Sequence, residues 1–569
     1  MNKQKINIST IKWLVRIAAT AKGSLFFLFL IKILQGIVGI VFAFFLRTVI
    51  DAAVSGNEHD FYLYLALGSG IIVAEVVLYW LATYYKEKPA AVLARNIRHA
   101  TFEQLLKRSY PDISKVHTGE WMTRINSDGV IIANAITSLI PGTAGLIVQM
   151  VCALAAMFLL LPRMAWILIP LGAGMIMISL FMRIRLKNYH KNVQRNEGIS
   201  YSYLQESLGS MSIIRTYVRE EQTGLEAYQK LDGVVKAKLR RARFISCCSS
   251  AVYALIRVSY FLGVAVCSFR LLKNVMTYGM MAAVLQLIRQ ADLPLAEVTS
   301  AVPKFFNMIA SAERLIEIEK LDLDYTDEPV APDEARRFYE EELCEIGFNK
   351  VHFSYNHDAA SSEVLSEMSM AIHKGDYVAF TGESGCGKST TMNLLMGLYC
   401  PDSGDIFLRT ENGSEQTLDA RWRTLYAYVP QENLLMSGKI REVVTFADSE
   451  AGNRDEKIWQ ALRIACAEEF VKALPDGLDT LLGEHGAGLS EGQMQRIAIA
   501  RAIFSRRPIL LLDESTSALD ELTEKKLLDN LKSMTDRTVV IITHRPAALS
   551  ICTRRIHFAN ESRGGDIIE

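Results

Sequence analysis

One short stretch decides the fold of much of this chain: Gly382-Glu383-Ser384-Gly385-Cys386-Gly387-Lys388-Ser389-Thr390. It satisfies the pattern G-x-x-x-x-G-K-[ST], follows a strand-like run (376–380) and precedes a helix-like one, as a phosphate-binding loop requires. Glycines let backbone N–H groups turn inward around phosphates, Lys388 reaches the β and γ oxygens, and Ser389 offers a hydroxyl to Mg²⁺. The stretch therefore predicts a site for ATP and Mg²⁺.

A pair of acidic residues follows a second apolar run further along the chain. The run 509–512 is Ile-Leu-Leu-Leu, and Asp513 and Glu514 come directly after it. Sheets of parallel strands place their ligand sites at the carboxyl ends of the strands. One carboxylate cannot serve well both as a metal ligand and as a proton acceptor. We therefore expect Asp513 to hold Mg²⁺ and Glu514 to act as general base on the attacking water.

A third motif, Leu489-Ser490-Glu491-Gly492-Gln493-Met494-Gln495-Arg496, lies between the other two and opens a helix-like run. With it, the chain resembles the ATP-binding cassette (ABC) family over almost its whole length. The resemblance implies that Tyr355 stacks on adenine, that Gln431 senses magnesium and the membrane domain, and that His544 is a switch histidine. It also implies that residues 517–520, Ser-Ala-Leu-Asp, form a dimer-contact loop.

The resemblance divides the site between two chains. It assigns ATP binding in one chain to Tyr355, Gly382, Ser384, Gly385, Cys386, Gly387, Lys388, Ser389 and Thr390, and in the second chain to Ser490, Gly492 and Gln493. It assigns catalysis to Glu514, His544, Gln431 and Lys388, and metal binding to Ser389, Gln431 and Asp513. A single chain is therefore expected to be unable to complete its own site, so we predict a second half-transporter, identical or different, as partner.

Several of these residues have simpler interpretations when each is taken alone. Tyr355 is then a strand residue, His544 a core histidine and Gln431 a surface residue; their order and spacing favour the functional interpretation. The third motif departs from the family pattern at Glu491, where glycine is usual. An acid near a γ-phosphate is electrostatically unfavourable unless its side chain points away.

The first half of the chain is predicted to lie in a membrane. Of the 569 residues, 50% are hydrophobic and 22% charged, which indicates an apolar segment joined to a soluble one. Each of six apolar runs approaches or exceeds the ~20 residues that cross a bilayer. They lie at 24–50, 62–84, 137–160, 163–182, 245–272 and 278–302.

The loops between the runs indicate an orientation. Long stretches rich in Lys and Arg follow the second and fourth runs, whereas the first external loop contains Asp51, Glu58 and Asp60. By the positive-inside rule the long loops are cytoplasmic, and six spans put both termini on that side. We expect cytoplasmic turns near 111–114 and 206–210.

These observations predict a six-helix all-α transmembrane domain joined to an α/β P-loop ATPase domain of the ABC type. The predicted segments are an interfacial helix (1–22), the membrane domain (23–320), a linker (321–344) and the nucleotide-binding domain (345–569). The expected location is a bacterial plasma membrane, with both termini and the nucleotide-binding domain in the cytoplasm. The expected partners are the bilayer and a transported solute, and no nucleic acid.

The resemblance favours ATP-driven export by alternating access. The stretch 482–486 before the third motif is similar to an exporter-specific loop. An exporter-shaped importer, for example of iron chelates, and an ATP-gated channel or regulatory subunit remain alternatives. Glu514 argues against a purely regulatory role.

Charged residues inside the predicted spans offer a lead to the cargo: Glu75, Arg257, Arg289 and Asp292. At 1.5 Å per residue they share a depth of roughly 16 to 22 Å from the external boundary. Burying each charge costs at least ~2.5 kcal/mol unless it pairs or meets water. An ion pair such as Arg257 with Asp292 that locks helices together is as good an interpretation as a site for a polar cargo.

Overall fold

The computed structural model describes residues 8–116, 118–325, 328–355, 363–431, 435–447, 455–483, 486, 488–558 and 565–568. The chain forms two compact units. The first contains residues 1–106 and 117–320, and the second contains residues 107–116 and 321–569.

The first unit is built from long helices. The α-helices up to Glu319 are, in chain order, α1 (Ile8–Ala19), α2 (Lys22–Ser55), α3 (Glu58–Leu106), α4 (Tyr110–Ser114), α5 (Thr118–Thr123), α6 (Gly129–Leu160), α7 (Pro162–Gly209), α8 (Met211–Thr216), α9 (Glu220–Leu272) and α10 (Tyr278–Glu319). Of these, α5 and α8 are short, and the short α4 belongs to the second unit. A π-helical turn, Arg124–Asp128, joins α5 to α6. The predicted spans therefore all lie on helices, and several helices continue well beyond the length of a span.

Four helical segments in the described part of the chain are long and apolar enough to cross a membrane: Lys22–Ser55, Glu58–Leu106, Thr118–Leu160 and Glu220–Leu272. Helices α7 and α10 cover the predicted fourth and sixth spans.

Helix α1 covers most of the segment that the sequence predicts to be interfacial, and the apolar Ile11 and Val15 are exposed on it. Trp13 and Leu14 are buried, whereas Lys12 and Arg16 are exposed. The Trp13 indole Nε1 donates a hydrogen bond to Glu319 at the end of α10, 2.8 Å away. This contact fixes α1 within the first unit.

The two expected cytoplasmic turns lie at short helices. The first is α4, which begins with Pro111 in its first turn, where a proline removes no helical hydrogen bond. It belongs to the second unit, where the Ser109 N–H donates to the Asp322 carbonyl (2.9 Å) and the Asp324 N–H to the Lys107 carbonyl (3.1 Å). The second lies at Ser210, between α7 and α8.

The second unit is an α/β domain with two main sheets in its described residues. Its strands are β1 (Leu343–Ser354), β2 (Glu363–His373), β3 (Tyr377–Gly382), β4 (Ser403–Thr410), β5 (Glu415–Thr417), β6 (Tyr426–Val429), β7 (Gly438–Lys439), β8 (Leu481–Leu482), β9 (Ile509–Asp513), β10 (Thr538–Ile542), β11 (Arg554–Phe558) and β12 (Gly565–Ile568). The larger sheet has the order β12-β11-β3-β10-β9-β6, with β11, β3, β10, β9 and β6 parallel. The other has the antiparallel order β2-β1-β4-β5.

The α-helices of this unit are α11 (Pro332–Glu341), α12 (Lys388–Leu395), α13 (Ile440–Val444), α14 (Asp455–Ile464), α15 (Glu468–Ala473), α16 (Glu491–Phe504), α17 (Glu521–Lys532) and α18 (Pro546–Leu549). One face of the larger sheet shares a core with helices that include α14, α16 and α17, and the other face shares a core with the antiparallel sheet. Because both faces are covered, β3, β9 and β10 are buried along their whole length, which explains their unbroken apolar runs. The fold class predicted from the sequence is confirmed.

The predicted linker (321–344) contains regular structure. Helix α11 lies within it, and its Ala335, Phe338 and Tyr339 side chains are buried in the core of the second unit. The Phe338 ring lies 4.6 Å from that of Trp422. The stretch therefore contributes to the packing of the second unit.

Candidate nucleotide-binding site

The phosphate-binding loop joins the buried strand β3 to helix α12. Gly387, the last residue before α12, has φ of +99°, a backbone conformation that residues with a Cβ rarely adopt. A Cβ at this position would also lie 2.7 Å from Leu365 Cδ2. The loop geometry thus depends on this glycine, and it directs the N-terminus of α12 toward the expected phosphates.

Lys388 places a positive charge within this loop. Its side chain is buried, and Nζ donates hydrogen bonds to the carbonyl oxygens of Gly382 and Glu383, each 2.7 Å away. The Cys386 Sγ lies 3.6 Å from the same Nζ. The ammonium group is therefore held by groups of the loop itself, in position to meet an anionic phosphate.

The expected magnesium ligands lie next to one another. Asp513 ends β9, and its side chain hydrogen-bonds with the Ser389 hydroxyl. Burial raises the pKa of Asp513, while the hydrogen bond from Ser389 and the charge of Lys388 oppose this rise. A carboxylate and a hydroxyl oxygen are donors that Mg²⁺ prefers, so these two residues fit the predicted role.

Glu514 has an unusual backbone conformation. Its φ is +45°, although it has a Cβ, and its N–H donates to the Ile542 carbonyl, 3.1 Å away. Such a conformation costs of order 1 kcal/mol or more, and it occurs preferentially at functional sites. Its carboxylate accepts a hydrogen bond from Gln431 Nε2 at 2.9 Å. The structure thus brings together two residues that the resemblance assigned to catalysis.

The two neighbouring carboxylates have different surroundings. Asp513 is buried and bonds Ser389, whereas Glu514 contacts the exposed Gln431. This difference in surroundings favours the predicted assignment of Asp513 to the metal and of Glu514 to the water, which stays a prediction.

Tyr355 lies at the edge of the domain, with 44% of its surface exposed. Its hydroxyl lies 3.1 Å from Thr390 Oγ1, and its ring stands perpendicular to that of Tyr399 at 5.2 Å. The Tyr399 ring also contacts that of Tyr110, the first residue of α4, at 5.7 Å. These contacts fix an aromatic ring beside the phosphate loop, where the resemblance predicts adenine stacking.

The third motif forms the start of helix α16. Ser490 is the N-cap residue; its Oγ accepts from the Gln493 N–H at 3.3 Å, and Gln493 Oε1 accepts from the Ser490 N–H at 2.9 Å. This capping box leaves the positive end of the helix dipole beside Ser490. Glu491 is exposed. A Cβ on Gly492 would lie 2.8 Å from the Ala518 carbonyl oxygen, so a larger residue there would displace the dimer-contact loop.

Two further candidate functional residues, Gln495 and Arg545, are not predicted from the sequence. Gln495, within α16, is completely buried, and its amide bonds the dimer-contact loop at the Ser517 hydroxyl (3.2 Å) and the Ala518 N–H (3.1 Å). Arg545, which follows the exposed His544, bonds the same loop. The available signal for Gln495 is its place in the third motif, two residues before the apolar run that begins at Ile497, and the signal for Arg545 is a cation directly after His544.

The charged residues predicted to line a cargo site lie in the first unit. Asp292 is buried, and its carboxylate accepts from the Ser259 hydroxyl at 3.5 Å. Arg257 is exposed, and its Nε donates to the Tyr253 hydroxyl at 2.8 Å. These contacts differ from the Arg257–Asp292 ion pair considered above. Arg289 is exposed and Glu75 is half-buried.

Together, these elements define an ATP-binding P-loop domain joined to a set of long apolar helices. A family model described as "ABC transporter transmembrane region" matches residues 25–291, and one described as "ABC transporter" matches residues 365–517. The chain belongs to the ABC transporters, as an exporter-type half-transporter in which one transmembrane region and one ATP-binding domain are fused.

Relatives of the same organisation occur in several bacteria. A multidrug resistance ABC transporter ATP-binding and permease protein of Lactococcus lactis (strain IL1403) is 26% identical over 576 residues, covering 98% of this chain and 92% of the relative. An ATP-dependent lipid A-core flippase of Coxiella burnetii is 29% identical over 481 residues, covering 82% and 77%.

A solved structure shares the fold. The structure of a bacterial Atm1-family ABC exporter with ATP bound superimposes with a TM-score of 0.83 at 21% identity, covering 96% of this chain and 95% of that chain.

The position of Cys386 generates a prediction. A bulky maleimide on this thiol, 3.6 Å from Lys388 Nζ, should occupy the space of the phosphates and lower ATP affinity more than tenfold, which is more than 1.4 kcal/mol. ATP should in turn slow the labelling. Equilibrium binding of a fluorescent ATP analogue checks this. The Cys386→Ala variant is the control: it should keep its ATP affinity after treatment, although the exposed Cys247 and Cys400 still react. Full ATP binding by protein labelled at Cys386 would contradict the assigned geometry.

Proposed function

We propose that this chain exports a solute across the membrane by alternating access, driven by ATP hydrolysis at sites shared between two half-transporters. The observation that carries the proposal is the pairing of Ser389 with Asp513 and of Gln431 with Glu514 beside the phosphate loop. This arrangement provides separate groups for the metal and for the attacking water. A site that only bound ATP, without hydrolysing it, would need the Ser389–Asp513 pair but not the Gln431–Glu514 pair.

The residues of one chain have distinct roles in the proposed hydrolysis. Lys388 and the backbone N–H groups of the loop bind the β- and γ-phosphates, and Ser389 and Asp513 hold Mg²⁺. The bound metal supplies charge neutralisation on the phosphate oxygens. Glu514 accepts the proton of the attacking water, and Gln431 orients the carboxylate. We assign His544, at the end of the neighbouring strand β10, to contact with the γ-phosphate.

The second half of each site comes from the partner. In this proposal Ser490 and the N-terminus of α16 face the γ-phosphate of ATP held by the other chain, where the helix dipole and the free N–H groups favour negative charge. ATP then holds the two domains together, and release of phosphate separates them. The exposed position of Glu491 is compatible with a carboxylate directed away from this phosphate.

The first cytoplasmic turn supports a mechanical link to the membrane helices. Helix α4 follows directly from the membrane helix α3, yet it packs within the second unit. Arg108 donates to the Leu321 carbonyl at 2.7 Å, and the Tyr110 ring contacts that of Tyr399. A displacement of the ATP-binding domain would therefore move this turn and the helix end attached to it.

The relatives support the direction of transport and the location. Two of them, both bacterial, are named a multidrug resistance ABC transporter and an ATP-dependent lipid A-core flippase. We assign this chain to a bacterial plasma membrane with both termini and the ATP-binding domain in the cytoplasm, and we expect a cargo with a large apolar part.

Vesicle transport separates export from its alternatives. In inside-out vesicles that contain the wild-type chain, ATP should drive uptake of a fluorescent amphipathic probe, such as a lipophilic dye or a short-chain lipid analogue. Vesicles with Glu514→Gln should show no ATP-driven uptake, because the base is lost while ATP still binds. ATP-driven depletion of preloaded probe would indicate import, and passive flux that ATP only gates would indicate a channel.

A polar part of the cargo is proposed to meet Arg289. Replacing Arg289 by alanine should lower the apparent affinity for an anionic amphipathic cargo about tenfold, the effect of one charge-assisted hydrogen bond. The concentration of cargo that half-maximally stimulates ATP hydrolysis measures this. Arg163→Ala, at an exposed arginine near the start of α7, is the matched control and should change this concentration less than twofold. An unchanged response of Arg289→Ala to every cargo that stimulates the wild type would count against this site.

A further inference from the structure

Arg545 forms two hydrogen bonds to the backbone of the dimer-contact loop. Its Nη1 donates to the Leu519 carbonyl at 3.0 Å, and its Nη2 donates to the Ser517 carbonyl at 2.5 Å. Because these hydrogen bonds go to the main chain, they fix the loop independently of its side chains. The guanidinium therefore determines the path of the loop at both of these residues.

A buried carboxylate holds the same guanidinium in place. Glu524 Oε2 accepts from Arg545 Nη1 at 2.9 Å, and Glu524 Oε1 accepts from the Thr516 hydroxyl at 2.8 Å. The Glu524 side chain is only 3% exposed and lies in the first turn of α17. A carboxylate buried to this extent is retained at a substantial desolvation cost, which its charged partner offsets. The planar fork of arginine can serve one carboxylate and two carbonyls at once, which a lysine ammonium on a flexible stem cannot reproduce.

The other side of the loop is attached to the helix that carries the third motif. The Gln495 amide bonds both Ser517 and Ala518. The loop is thus held between α16, which begins beside Ser490, and Arg545, which follows His544 directly. The Arg545 N–H also donates to the Thr543 hydroxyl at 3.0 Å, which fixes the backbone on both sides of His544.

We propose that Arg545 is a positioning residue that joins the histidine segment (543–545) to the dimer-contact loop (517–520), so that the two move as one body. This inference rests on the proposed function, in which His544 meets the γ-phosphate of its own chain while the loop and Ser490 face the partner's ATP. Through Arg545, the state of one γ-phosphate sets the geometry that this chain offers to the other site. Arg545 itself lies outside the set of groups that bind the nucleotide.

This role predicts a change in turnover without a change in nucleotide affinity. In the full-length chain, Arg545→Lys should lower kcat for ATP hydrolysis about tenfold or more. A lysine cannot make all the charge-assisted hydrogen bonds that Arg545 makes to Glu524 and to the dimer-contact loop. The dissociation constant for ATP, measured with a fluorescent analogue, should stay within about twofold, because the phosphate loop is untouched. A residue that only stabilised the fold would show parallel losses in both quantities.

Two further variants distinguish positioning from general destabilisation. Arg554 also bonds a carbonyl (Ala371, 3.1 Å) and a carboxylate (Asp376, 3.1 Å), but on β11, so Arg554→Lys is the matched control and should keep wild-type kcat. Glu524→Gln keeps a partner for Thr516 but loses the charge that holds Arg545. It should lower kcat with unchanged ATP affinity. The double variant with Arg545→Lys should show a smaller fold-loss of kcat than the product of the two separate fold-losses.

The outcomes separate this inference from the function on which it rests. Wild-type kcat in Arg545→Lys, an equal loss of kcat in Arg554→Lys, or fully multiplicative losses of kcat in the double variant would overturn the role of Arg545 while leaving the proposed function intact. If Arg545→Lys does not fold, the kcat and affinity of Glu524→Gln decide alone. Absence of ATP hydrolysis by the wild-type chain, both alone and with every companion half-transporter, would overturn the proposed function and this inference with it.

Discussion

The concentrated negative charge of a triphosphate is the physical constraint on which the second unit depends. Lys388, Ser389 and Asp513 are brought together because β3 and β9 are both hydrogen-bonded to β10 in parallel, with Phe380 and Asp513 each paired to Ile542. Parallel strands end at the same edge of a sheet, so residues far apart in sequence meet there. The apolar strands themselves are fixed by burial on both faces, and the charged groups are confined to their ends.

The same arrangement explains the difference between the two neighbouring carboxylates. Asp513 is the last residue of its strand and points into the protein, whereas Glu514 leaves the strand with a left-handed backbone that the Ile542 carbonyl stabilises. Two adjacent residues thus reach different environments, one suited to a metal and one to a water.

The sequence was sufficient for the features that depend on local pattern. The phosphate loop, the acidic pair, the third motif and the helices over the six apolar runs were all predicted, because each follows from spacing or hydropathy within a short window. The packing of α11 and the contacts of Gln495, Glu524 and Arg545 were not predicted. Each of these depends on partners distant in sequence, which neither spacing nor propensity reveals. The same reason explains why Asp292 is not matched to Ser259, 33 residues away. Arg257 and Tyr253 are four residues apart on α9, so helical spacing alone puts them on one face of that helix.

The proposed mechanism requires that two chains enclose the γ-phosphate at once. Its most direct test is ATP occlusion in Glu514→Gln, which should bind ATP without hydrolysing it. With labelled Mg·ATP, paired chains should retain nucleotide that exchanges slowly against excess unlabelled ATP, and adding Ser490→Arg should abolish this retention while ATP still binds. Rapid exchange in Glu514→Gln in every pairing of half-transporters, or retention that survives the loss of Ser490, would show that two chains do not enclose the γ-phosphate.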